Sequence, residues 1–234
     1  TTASQLLDYI GRTGKYIIHV EGTIQLTGMH QVKSDKTILG VGTEGHIKGG
    51  GFNIKSASNI IIRNLRFTDS NDDAINVQDN SHHVWIDHND FSGSFDGLVD
   101  IRLGPSYVTV SWNRFSNQDK TCLIGSSDDN GSLDLGRLKV TYHHNWFDRT
   151  NQRNPRCRFG EVHVYNNFYD NPGSYGVAST TEAKVLVEGN YFLNTSRPTS
   201  VQEGSSPEGY LQARNNYFNN SDTTPETRGV AFDP

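Results

Sequence analysis

Cysteine is nearly absent: Cys122 and Cys157 are the only two in 234 residues. A disulfide framework is therefore excluded as the source of stability, leaving either one bridge or two buried thiols. Neither lies in a CxxC pair, and two cysteines alone make no metal site. Long apolar runs are missing too. Stretches such as YIIHV and NIIIRNL fall far short of the ~20 residues a membrane span requires, so no membrane partner is expected. Basic excess is lacking: 21 Lys and Arg stand against 26 Asp and Glu, for a formal net charge of -5. Without a long basic run, a protein that wraps nucleic acid phosphates is not expected. The chain opens on TTASQLLDYI, with no basic start leading into an apolar stretch, so a secretion signal is expected to have been removed or never to have existed.

What is present is enough for one sizeable core. With 33% hydrophobic and 20% charged residues, nothing marks a disordered class, and a single domain over 1–234 is expected. The dominant feature is a repeat. Seven segments align: NIIIRNLRF ending at Phe67, HHVWIDHNDF at Phe91, SYVTVSWNRF at Phe115, LKVTYHHNWF at Phe147, GEVHVYNNFY at Tyr169, AKVLVEGNYF at Phe192 and GYLQARNNYF at Phe218. Each alternates apolar residues with the period of a strand, as in Val84 and Ile86 or Val108 and Val110. An asparagine stands two before the aromatic in six of them, at 89, 113, 145, 167, 190 and 216; the first segment has Leu65 there and Asn64 one position earlier. Consecutive rings are 24, 24, 32, 22, 23 and 26 residues apart.

A unit this short cannot bury its own apolar face and must stack on its neighbours. The reading is an all-β right-handed parallel β-helix of seven or eight coils, with asparagines hydrogen-bonding along the axis at a turn and aromatics filling the interior. A β-sandwich with fortuitous similarity is the competing reading. The 32-residue spacing implies an insertion, and GSSDDNGSLDLG, 125–136, has loop composition. A second loop is expected at about 197–209. Both would wall a groove. Residues 4–10 place Leu6, Leu7 and Ile10 on one helical face after a Ser or Thr cap, a helix suited to plugging one end of the solenoid.

Charge concentrates in three places. NDDAINV carries Asp72 and Asp73, DGLVD carries Asp96 and Asp100, and RNPRCRFG, 153–160, carries Arg153, Arg156 and Arg158; Lys120 falls between the last two in sequence. Residues four apart in a strand project to one side, so Asp96 and Asp100 are expected to aim at one point, joined by Asp73 from the adjacent coil. Hard oxygen donors of this kind suit Ca²⁺; the alternative for any one of them is a solvated turn aspartate. Three arginines in six positions suit a nucleic acid patch, a solvated loop or a small anionic substrate, and the acidic balance disfavours the first.

The strings VWIDHNDF, DGLVDI, DKTCLIGSSD, YHHNWFD and RNPRCRFGEVHVYNN resemble the β-helical pectate lyase and pectin lyase family, over about residues 5–218. The RxPRxRFG string with WIDH is the specific part. The resemblance implies a calcium-dependent carbon–oxygen lyase cleaving polygalacturonate by β-elimination, secreted and monomeric. Asp73, Asp96 and Asp100 match the family's primary calcium ligands, Lys120 and Arg158 match residues holding substrate carboxylates, and Arg153 matches the proposed base, with Arg156 in support. Where some members carry a further calcium-binding aspartate, this chain has Asn71, whose amide oxygen still coordinates but brings no charge. Asp72 is expected to point away from Asp73 by strand alternation.

An ordinary guanidinium stays protonated to beyond about pH 12. Neighbouring cations disfavour its charged form, so a base role for Arg153 implies an alkaline optimum; hydroxide or water activated nearby is the competing account. Rival functions on the same fold are a pectin lyase, a polygalacturonase with paired carboxylic acids and a non-catalytic polysaccharide-binding solenoid. Nine histidines invite a zinc site, but alternation is expected to send neighbours such as His143 and His144 to opposite sides, and no HExxH spacing is present.

Overall fold

The computed structural model describes residues 1–230 and 232–234. The chain winds as a right-handed parallel β-helix, and every strand-to-strand register between coils is parallel, as in Val108↔Val84 and Val108↔Val140. One face is a nine-stranded sheet whose strands include Ser58–Arg63, His82–Asp87, Ser106–Ser111, Lys139–His143 and Glu161–Tyr165. The other strands form a 15-stranded sheet folded into two faces. The long strand His46–Lys55 pairs with Arg66–Thr68 through one half and with Ile75–Gln78 through the other, so it turns the corner between them. The nine-stranded face means nine coils rather than seven or eight; the two extra are led by Tyr16–Val20 and Lys36–Gly40, which carry no asparagine–aromatic signature.

The asparagine corner has one construction throughout. The residue before each ladder asparagine is in the left-handed region: His88 at φ 53°, Trp112 at 55°, His144 at 55°, Asn166 at 53°, Gly189 at 65° and Asn215 at 56°. That conformation turns the chain in two residues, and the buried asparagine then satisfies the backbone it strands. Asn145 Nδ2 donates to Asn167 Oδ1 at 2.9 Å and to Val110 O at 2.9 Å, while its Oδ1 accepts from the backbone and the side chain of Asn113 at 3.0 and 3.1 Å. The pattern runs unbroken from Asn89 to Asn216. Leu65 stands at the head of the ladder, where its backbone N–H donates to Asn89 Oδ1 at 3.0 Å. Asn64, one position early, closes the corner by donating to Gly40 O and Gly42 O.

Inside, Phe67, Phe91, Phe115, Phe147, Tyr169, Phe192 and Phe218 stack ring on ring with centroids 4.5 to 5.5 Å apart. Phe52 meets the top of the column edge-on. The helix Ala3–Gly11 is capped by a reciprocal pair: Thr2 Oγ1 accepts from Gln5 N, and Gln5 Oε1 accepts from Thr2 N. It buries Leu6 and Ile10 against the first coil, with Leu7 partly buried. At the far end, Arg228 pairs antiparallel with Leu211 and covers the last rung. The 125–136 insertion is not wholly loop, since Gly131–Asp134 is a helical turn tied down by Gly104 N donating to Asp134 Oδ1. No helix among the described residues is long and apolar enough to cross a membrane.

Asn145→Leu tests the ladder. It strands two Asn113 donors and the Val110 carbonyl in a dry corner, where each unpaired group costs about 1–3 kcal/mol. The expected outcome is an unfolding midpoint in urea corresponding to a loss of at least ~3 kcal/mol, whereas an unchanged midpoint would show that the ladder is incidental.

Candidate active site

Outward-facing residues of one face build the site. The strands Ile75–Gln78, Val99–Arg102, Cys122–Ile124 and Arg156–Arg158 lie side by side, with Asn76, Asp100, Leu123 and Arg156 on one line of register. Alternation turns Ile75, Val77, Val99, Ile101, Cys122, Ile124 and Cys157 into the core, leaving that line facing out. The turns before these strands carry Asp72 and Asp73, Asp96, Lys120 and Arg153. Successive coils therefore deliver acid, acid, base and base along the axis.

One carboxylate oxygen from each of Asp72, Asp73 and Asp96 lies within 4.8 Å of the others. Asp72 thus joins Asp73 rather than pointing away: both lie in the turn ahead of Ile75, where strand alternation does not apply. Asp96 also sits in a turn, not in a strand with Asp100. What brings these acids together is Gly97, whose N–H donates to Asp73 Oδ1 at 2.8 Å. A Cβ there would collide with the Asp100 carboxylate and crowd Asp73 Oδ1 at 3.1 Å. Asp73 Oδ2 accepts from Asn76, and Asp100 Oδ1 from Leu123 N. Asn71 is spent elsewhere, its amide oxygen accepting from Gly28 N at 2.9 Å.

Crowding buried carboxylates shifts their protonation. Burial, with Asp72 and Asp96 adding like charge against a Gly97 hydrogen bond, pushes Asp73 up to about 6. Burial and then Asp73 push Asp100 well above its ordinary range, while nearby Arg153 pulls the other way. Oxygen-only donors clustered from exposed Asp72, buried Asp73 and half-exposed Asp96 have the chemistry of a hard divalent cation site. Among the described residues this is the one group of three or more such side chains close enough to hold a metal ion. The adjacent histidines do not separate by alternation. His143 and His144 meet Nδ1 to Nδ1 at 2.9 Å, because His144 is a left-handed corner residue.

The cations are held from below and beside. Lys120 Nζ reaches Asp96 Oδ1 at 2.9 Å. The buried Gln118 amide donates to Asp96 O and Lys120 O, locking those two turns together. Asp119 accepts from Asn151 and Gln152 and so ties the Lys120 turn to the Arg153 turn. Arg153 is left-handed, with φ 60°, and precedes the cis Asn154–Pro155 bond; its Nε and that of Arg156 are buried and bonded to nothing in the protein. Arg156 donates to Glu203 O and Ser206 Oγ, and burial together with Arg158 lowers its pKa. Arg158 donates to Asp128 and to Gly125 O. Gln118, Asp119, Asp128 and Ser206 escaped sequence reasoning, because their partners lie one to three coils away. Cys122 and Cys157 are two buried, unpaired thiols. A cavity of about 610 Å³ lined by His83, Tyr107, Lys139, Glu161 and His163 opens on the nine-stranded face and includes none of the acidic or cationic residues described above.

The parallel β-helix thus presents clustered carboxylates beside arginines and a lysine on one face. The chain belongs to the pectate lyase family, whose sequence profile matches residues 25–233. It is 42% identical to a pectate trisaccharide-lyase of Thermotoga sp. strain RQ2 across its whole length, covering 74% of that protein. It is 37% identical to a pectate trisaccharide-lyase of Bacillus licheniformis over 93% of the chain and 67% of that protein. The structure of a pectate lyase from Bacillus sp. N165 in complex with trigalacturonate superposes with a TM-score of 0.91 at 32% identity, covering the whole chain and 85% of that one.

The raised Asp73 pKa sets a sign for stability. A carboxyl that protonates more readily folded than unfolded favours folding below its ordinary value of about 4, and that contribution is lost as pH rises through about 6. In chelator, Asp73→Asn is therefore expected to raise Tm more at pH 8 than at pH 5. Equal shifts at the two pH values in calorimetry would contradict the placement.

Proposed function

We propose that this protein is a calcium-dependent pectate lyase that cleaves polygalacturonate by β-elimination, with Arg153 as the base. The observation that carries the reading is the meeting of Asp72, Asp73, Asp96 and Asp100 with Lys120, Arg153, Arg156 and Arg158 on one face from successive coils. Family membership and the names of its relatives support the substrate class.

The substrate is a polyanion, and the bond-breaking step begins at a very weakly acidic C5–H next to a uronate carboxyl. Arg153, as a neutral guanidine, takes that proton. The electron pair enters the adjacent carboxyl as an enolate and then forms the C4–C5 double bond as the C4–O bond breaks; the departing oxygen takes its proton from water. Lys120 and Arg158 hold substrate carboxylates and stabilise the developing charge. Ca²⁺, held by Asp73, Asp96 and Asp100 with Asp72 alongside, would add Lewis-acid polarisation of the uronate carboxyl. Because a guanidine base gains neutral fraction as pH rises, the rate climbs into the alkaline range. The polymer lies outside cells, so the protein acts as a secreted monomer with no nucleic acid or membrane partner.

The test is the ultraviolet absorbance of the conjugated product from polygalacturonate at alkaline pH, with calcium or with chelator. The expected result is absorbance that requires calcium and falls at least ~100-fold in Arg153→Ala. New reducing ends without absorbance would make the protein a hydrolase, and neither signal would leave a binding solenoid.

A further inference from the structure

We infer that Asp128 is a positioning residue that aims the two substrate-facing arginines, Arg158 directly and Arg156 through Ser206. The inference deepens the proposed function and rests on it.

Asp128 lies at the tip of the first insertion, and three groups from three other parts of the chain converge on its carboxylate. Oδ1 accepts from Arg158 Nε at 2.8 Å and from the Thr181 hydroxyl, and Oδ2 accepts from Ser206 Oγ at 2.7 Å. Ser206, 2% exposed, belongs to the second insertion and in turn accepts from Arg156 at 2.8 Å and from Arg158 at 3.4 Å. One carboxylate thus fastens both insertions to both arginines. Burial alone would raise its pKa, yet the hydrogen bonds from Thr181, Ser206 and Arg158 hold it at about 2, so it stays ionised across the working range.

The Arg158 side chain is only 12% exposed. Its Nε and one terminal nitrogen donate to Asp128 and Gly125 O, and the other terminal nitrogen to Ser206 Oγ. Gly125 has φ 77°, and a Cβ there would meet the Arg158 backbone oxygen at 2.7 Å and its Cβ at 2.8 Å. The first insertion therefore grips Arg158 at both ends of 125–128, leaving the remaining N–H groups of the fork directed rather than free to swing. A guanidinium fixed this way needs no reordering to engage a planar carboxylate, which lowers the entropic cost of binding. Freed from Asp128, the same guanidinium keeps its charge but loses its direction. The expected effect is therefore on binding more than on turnover.

The experiment compares wild type, Asp128→Asn, Ser206→Ala and Asp129→Asn, whose exposed neighbouring carboxylate controls for loss of charge alone. Initial rates of unsaturated product from polygalacturonate give KM and kcat, and calorimetry gives Tm. The expected result is KM up about tenfold in Asp128→Asn with kcat within about threefold. Ser206→Ala should show a smaller rise in KM, and Asp129→Asn none. Wild-type KM in Asp128→Asn, whatever its Tm, overturns the inference. If Asp128→Asn fails to fold, Ser206→Ala decides in the same way. If the wild type yields no unsaturated product, the proposed function fails on its own. Calorimetric affinity for trigalacturonate then judges the inference: weaker binding by Asp128→Asn upholds it, and equal binding overturns it.

Discussion

Coil-on-coil hydrogen bonding places every residue discussed above. Parallel strands one coil apart repeat their register along the whole solenoid, so a side chain's position is set by how its coil enters the face rather than by its sequence distance from its neighbours. The asparagine corner makes that entry reproducible. Each amide inside the ladder donates at least twice and accepts twice, as Asn145 does, so sliding one coil would leave several groups unpaired at once. The aromatic column behind it repeats the same constraint in van der Waals terms.

On that frame the charged face is an exercise in concentrating like charges. Four carboxylates within two turns and one strand are held together by main-chain N–H groups, by Asn76 and by the absence of a Cβ at position 97. The result is two buried acids, Asp73 and Asp100, whose pKa values are raised, beside a lysine and arginines that are themselves crowded. Neither half is stabilised by salt bridging alone. Lys120 meets Asp96 at a half-exposed position, where such a pair contributes little. The acids of this face are thus only weakly neutralised from within, whereas Arg158 is paired with Asp128.

The period of the fold was legible because burial alternates within each strand and because asparagine and the ring recur at fixed offsets. Leu65 and Asn64 were already visible as the break in that pattern, and the structure explains them as the head of the ladder. Strand logic misled wherever the chain left a strand. It sent Asp72 away from Asp73, and it separated His143 from His144 although left-handed His144 turns back on its neighbour. It also placed Asp96 in a strand it only precedes. The two leading coils lacked the signature and went uncounted. Asp128 and Ser206 were invisible for a different reason: 78 residues separate them, and no local period encodes a bond between two insertions.

The asparagine corner is always two residues long. Between Asp87 and Asp90, Ser111 and Arg114, His143 and Trp146, Tyr165 and Phe168, Glu188 and Tyr191, and Arg214 and Tyr217, nothing is added or removed. All the slack in the coil length, including the 125–136 insertion and the 197–209 stretch, falls at the corners that border the charged face. The solenoid is in effect a book bound along one edge. Its pages can differ in width on the opposite side without disturbing the binding, so the reading surface can be lengthened, walled or reshaped while the spine keeps its stitch.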